Sequence, residues 1–65
     1  MSDWISVKDR LPKAPMLVLV YVKHPSGAWI TTDVWLGDRW LENADEAEHE
    51  ITHWMPLPVP PKEEA

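Results

Sequence analysis

Residues His49 to His53 read "HEITH". This is the H-E-x-x-H spelling in which two histidines four apart hold zinc and the glutamate between them activates bound water. That chemistry needs a helix, which brings both imidazoles together on one face, and it needs a third ligand. Neither is indicated. Pro56 biases Met55 toward an extended backbone, and the remaining histidine, His24, falls in the turn signal "KHPSG". A chain of 65 residues leaves little room for a substrate cleft. His49 is therefore read as solvated and His53 as partly packed, and a zinc hydrolase ranks last among the functional readings.

No other catalytic set stands out. Ser2, Ser6 and Ser26 lack a glycine elbow, and without cysteine there is no thiol nucleophile. Glu42, Asp45, Glu46, Glu48 and Glu50 could pair carboxylates for hydrolysis, but such a block more commonly forms a solvated face. The expectation is a non-enzymatic protein with no cofactor and no metal.

The tryptophans raise the sharper question. Trp4, Trp40 and Trp54 read as core anchors. Trp29 and Trp35 lie six residues apart on one side in strand alternation, on a polar-mixed face with Thr31 and Asp33. Two such indoles form either an oligomer seam or a stacking platform for a planar ligand. The candidate ligand-binding set is Trp29, Trp35, Thr31, Asp33, Arg39, His53 and Trp54, with Arg39 available to pair a phosphate.

The elements that must position these residues fit one small domain. A chain this short buries only about 60% of its unfolded surface. With no disulfide available, aromatic packing and self-association are the natural supplements, and a homo-oligomer is expected. The net charge of −5 is concentrated in residues 42–50. No basic stripe suits nucleic acid, and the longest apolar run, Met16 to Val22, is too short to span a bilayer. "MSD" at the start carries no signal-peptide pattern, so a cytoplasmic protein is expected.

"WISVKDRLP" begins with a capping-box spelling, Ser6 and Asp9, which predicts one helical turn from Val7 to Leu11 ended by Pro12. Trp4, Val7 and Leu11 then share an apolar side. "MLVLVYV" reads as a central strand covered on both faces. "AWITTDVWL" is the second strand, with Ile30, Thr32, Val34 and Leu36 assigned to the core. "GDR" is a tight turn and "RWLE" a short third strand, which gives a meander as the simplest topology. Residues 43–50 form an acidic insert with a short helix or helical turn at Asn43 to Glu48. A last strand, Ile51 to Met55, leads into a proline-stiffened extended arm to Pro61, with Met55, Leu57 and Val59 packing down. Residues 62–65 are expected to fray. The fold class is α+β and β-rich: an antiparallel sheet of three to four strands, one or two helical turns and a proline-rich C-terminal arm. The N-terminal turn and this arm should meet near one end.

Two segments carry a family resemblance. "WISVKDRLP" at Trp4 to Pro12 and "ITHWMPLPVPP" at Ile51 to Pro61 resemble the end signatures of the domain of unknown function 551 family. The opening maps onto Trp4, Val7, Leu11 and Pro12. The ending, close to T-H-W-M-P-L-P-x-P-P, maps onto Thr52, His53, Trp54, Met55, Pro56, Leu57, Pro58, Pro60 and Pro61. The resemblance implies a small protein of tailed phages and prophages with no established activity. It marks His53 and Trp54 but not His49 and Glu50, which belong to the variable insert. Two readings follow. One is a phage accessory protein that sequesters a nucleotide-like signalling molecule, as counter-defence against the bacterial host. The other is an interaction module that blocks or redirects a host protein through the acidic segment and the prolines, which include a minimal P-x-x-P.

Overall fold

The computed structural model describes residues 3–43 and 47–58. Four strands, β1 (Ile5–Ser6), β2 (Met16–His24), β3 (Gly27–Trp35) and β4 (Glu50–Pro56), form one antiparallel sheet in the order β1-β4-β2-β3. The expected meander is corrected: the last strand inserts between β1 and β2, and β2 is central because both of its edges are paired. "RWLE" contributes only the bridge of Trp40 to Trp35, not a third strand.

β2 and β3 are joined by the two residues Pro25 and Ser26, with His24 opposite Gly27. Proline presets the first corner of such a turn. Gly27, at φ 148°, takes a backbone value that side chains disfavour. Ser26 donates its backbone N–H to His24 Nδ1 at 3.0 Å, which secures the corner. At the far end of β3 the chain reverses through Leu36 to Arg39, closed by Leu36 N–H donating to Arg39 O at 2.8 Å. Gly37 there has φ 105°, again favouring glycine.

Alternation along β2 sets the two faces of the sheet. Val18, Val20 and Val22 are fully buried and form the core with Trp54; Ile5, Val7, Trp40 and Ile51 pack against them. Leu17 on the opposite face is 48% exposed, so β2 is central but not covered on both sides. Cross-strand partners share a face. Val18 is opposite Asp33 and Met16 opposite Trp35, which puts Asp33 and Trp35 on the core side. The sequence-based assignment of β3 is therefore inverted. Ile30, at 58% exposure, lies on the open face with Thr32 and Val34. The physical reason is size together with hydrogen bonding. Burying the indole of Trp35 gains more than burying Ile30, and Asp33 is tolerated inside because donors surround it.

β4 carries a bulge. Tyr21 pairs with His53 and Val22 with Ile51, so Thr52 is the extra residue. Its carbonyl is used from the other side, accepting Val7 N–H at 3.0 Å. The bulge is why Ile51 and Trp54, three apart, both pack on the core.

No helix occurs among the described residues. The capping signal at Ser6 is present: Ser6 Oγ accepts Lys8 N–H at 3.2 Å, and Ser6 O accepts from Asp9 and Arg10. It makes a single turn, cut short by Pro12. The expected common side of Trp4, Val7 and Leu11 does not form. Val7 meets the core, Trp4 lies edge-on to Tyr21 of the open face, and Leu11 is 39% exposed. The helix expected at Asn43 to Glu48 is replaced by turns at 41–43 and 47–48, while 44–46 lies outside the described residues. β4 extends to Pro56; Leu57 and Pro58 are exposed and make no packed arm, and Val59 onward lies outside the described residues.

The N-terminal turn and the end of β4 do meet. Ile5 pairs with Trp54, and Trp54 Nε1–H donates to Arg10 O at 2.9 Å. A chain of this length has about 3–10 kcal/mol of stability in total. Trp54→Ala should remove about 3–5 kcal/mol, a third or more of that total. Trp54→Phe, which keeps most of the packing and strands one carbonyl, should cost about 1–3 kcal/mol. Urea denaturation followed by far-ultraviolet circular dichroism measures both.

Candidate functional site

The most organised polar arrangement begins at Asp33, near the C-terminal end of β3 and fully buried. Its Oδ1 accepts the backbone N–H groups of Val34 at 2.6 Å and Glu42 at 3.0 Å. Its Oδ2 accepts Asn43 N–H at 3.2 Å and the Asn43 side-chain amide at 2.6 Å. A carboxylate only accepts, and four donors satisfy it without water. The segment after β3 is thereby folded back over the core face, helped by Leu41 N–H donating to Val34 O at 2.9 Å and by the edge-on contact of Trp35 with Trp40.

The network continues outward with defined polarity. Asn43 gives its amide N–H to Asp33, so its Oδ1 is turned away and meets His49 Nδ1 at 3.0 Å. An amide oxygen accepts, so His49 carries its proton on Nδ1 and, when neutral, presents Nε2 as an acceptor. His24 holds the opposite tautomer. Its Nδ1 accepts Ser26 N–H and Oγ–H, the latter at 2.7 Å, which leaves Nε2–H facing Glu48 Oε2 at 3.5 Å. Glu48 reaches this position from a left-handed backbone, φ 67°.

Trp29 completes the group. Its ring centroid lies 5.0 Å from that of His49 and 6.0 Å from that of His24, and the two imidazoles are 5.5 Å apart, edge to face. Trp29, Thr31, Thr32, Glu42, Asn43 and His49 line an open recess of about 370 Å³. The indole remains 38% exposed. This arrangement can stack a flat ring and accept one hydrogen bond at His49 Nε2. Among the described residues it contains no nucleophile activated by a neighbouring base.

Of the residues expected from sequence to bind a ligand, Trp29 and Thr31 line this recess, and Asp33 supports it from below. Trp35 and Trp54 are core residues, 8% and 6% exposed. Arg39 sits in the turn beyond the far end of β3, about 20 Å along the strand from Trp29. His53 faces Tyr21 on the other side of the sheet, with Nδ1 2.9 Å from Thr52 Oγ1, and lines a separate recess with Lys8 and Lys23. His24, Asn43 and His49 were missed. His49 is half-buried rather than solvated. The available signal was Asp33 itself: an acid inside an apolar strand demands donors, and the segment after β3 offers backbone N–H groups and the Asn43 side-chain amide.

The H-E-x-x-H spelling does not form a metal centre. Its second histidine lies within β4, and the bulge at Thr52 leaves His49 with Trp29 and His53 with Tyr21, on opposite sides of the sheet. No group of three or more histidine, aspartate or glutamate side chains suited to a metal occurs among the described residues. No helix there is long and apolar enough to cross a membrane.

Residues 3–62 match the family described as Protein of unknown function (DUF551). No curated protein and no solved structure gives a significant match.

Asp33→Asn exchanges one acceptor oxygen for a donor in a site already crowded with donors. It should destabilise the protein by about 1–3 kcal/mol. Asp38→Asn, the same exchange at an exposed residue of the turn after β3, should stay within about 0.5 kcal/mol of the parent. Chemical denaturation of the two variants side by side checks the contrast.

Proposed function

The chain belongs to the DUF551 family, and we propose that it is a non-enzymatic binding protein for a small planar heterocycle. The ligand stacks on Trp29 and donates an N–H or O–H group to His49 Nε2. The observation that carries this reading is the Asp33–Asn43–His49 chain, which spends a fully buried carboxylate on orienting one half-buried imidazole beside an exposed indole. A core that needed only packing would have an apolar residue at position 33.

Charge narrows the ligand class. Glu42 lines the recess and Glu48 stands beside His24, while Arg39 is at the other end of β3. The chain as a whole carries −5. Recognition therefore rests on a base or nucleoside ring, and any phosphate on the same molecule points toward solvent. The setting we propose follows from the family resemblance: a phage or prophage protein in the bacterial cytoplasm, withdrawing a nucleotide-like signalling molecule from the host's defence.

Adenosine, guanosine, cytidine and their cyclic dinucleotides form the test panel. At least one should quench tryptophan fluorescence saturably and raise the melting temperature. Trp29→Ala and His49→Ala should each weaken that binding by about tenfold or more, the scale of one base–aromatic stack or one lost hydrogen bond. Absence of saturable quenching and of any thermal shift across the whole panel would remove the basis for this reading.

A further inference from the structure

The face of the sheet opposite the core is mostly apolar; Trp4 and His53 lie edge-on to Tyr21 on it, while Leu17 and Ile30 stay open. Leu17, Leu19 and Tyr21 of β2 project from it. Their cross-strand partners on the same face include Val34, Thr32 and Ile30 of β3 and Met55 of β4. Leu17 and Ile30 are 48% and 58% exposed. An antiparallel sheet that keeps one face in water normally lines it with polar residues. Between Leu17 and Tyr21 on β2, and between Ile30 and Val34 on β3, this face carries no charge. The first charged pair is Lys23 opposite Glu50, at the end of the strands, where an interface would have its wet rim.

We infer that this face docks against the same face of a second copy of the chain, related by a two-fold axis, to form a two-layer sandwich. Three observations favour a second copy over another occupant. The patch is neutral, so it offers no charge pattern by which to select a foreign partner, whereas an apolar face is complementary to itself under two-fold symmetry. The area suffices. Strands of this length at about 4.8 Å spacing present about 500 Å² of accessible surface per copy. The pair then buries about 1,000 Å², the lower bound for a specific interface. Finally, the residues outside the described ones, "MS", "ADE" and "VPPKEEA", bring only Met1 and Val59 as large aliphatic side chains. Two side chains do not match a face of six apolar groups, of which Leu17 and Ile30 are exposed and Leu19, Tyr21, Val34 and Met55 half-buried. Facing sheets pack about 10 Å apart with strands nearly aligned, which lets Leu17 and Ile30 interdigitate with their symmetry mates. Trp29 lies on the core side of the sheet and only Thr32 belongs to both the recess lining and this face, so the two proposals are tested separately.

Sedimentation velocity of the full chain from about 1 µM to about 1 mM tests the inference. The parent protein should sediment as twice the 7.5 kDa chain mass at the upper concentrations. Leu17→Lys and Ile30→Lys should each weaken dimerisation at least about tenfold. Leu41→Lys, at an exposed leucine outside the sheet, should leave dimerisation unchanged. A parent that stays monomeric throughout overturns the inference, as does a dimer insensitive to both lysines. Should the lysine variants fail to fold, methyl chemical shifts of the parent across the same range decide the matter. Concentration-dependent shifts at Leu17, Leu19, Ile30, Val34 and Met55 support the seam, and shifts confined to other methyls refute it.

Discussion

One buried carboxylate organises this small protein. Asp33 lies near the C-terminal end of β3 with no exposure to water. An isolated charge there would be prohibitive, so it must be surrounded by donors. The donors come from its own strand and from Glu42 and Asn43. Three consequences follow. β3 turns its Asp33–Trp35 side to the core. The segment after β3 lies across that core instead of forming another strand. The amide of Asn43 can point only one way, and it passes that polarity on to His49.

The two faces of the sheet thus have different fates. On one side a thin core of three valines and Trp54 is roofed by loops, which include the turn from Ser6 and the segment from Leu36 to Asn43. The Trp29 recess sits at the edge of that roof, where β3 has no neighbouring strand. On the other side, among the described residues, Trp4 meets Tyr21, while Leu17 and Ile30 stay open. A domain of 65 residues can stabilise itself with one covered face, but an uncovered apolar face is an opportunity for association.

Much of the framework was legible in the sequence. The apolar run at Met16, the Pro25–Gly27 punctuation and the strand ending at "HWMP" were readable because each depends on local preference: β-branched content, proline geometry, glycine at positive φ. The meeting of the N-terminal turn with the C-terminal segment was expected from the apolar residues at both ends, and it takes place at Trp54. What was not legible depends on long-range pairing. β1 is two residues long and exists only because β4 offers it an edge. The bulge at Thr52 is invisible to alternation counting, yet it decides that His49 and His53 part company. The face of β3 was misread because a hydrophobicity count favours Ile30, Val34 and Leu36, and such a count cannot know that Asp33 will find four donors. The same omission hid Asn43 and His49 as members of a site.

Amide hydrogen exchange resolved by residue tests the organising role of Asp33 most directly. The backbone N–H groups of Glu42 and Asn43 lie in a loop, outside any strand ladder, and both donate to the Asp33 carboxylate. Exchange protection at these two amides comparable to that of Val18 and Val20 in the central strand is the result this account predicts. Exchange at the rate of an unprotected loop, with β2 still protected, would contradict it.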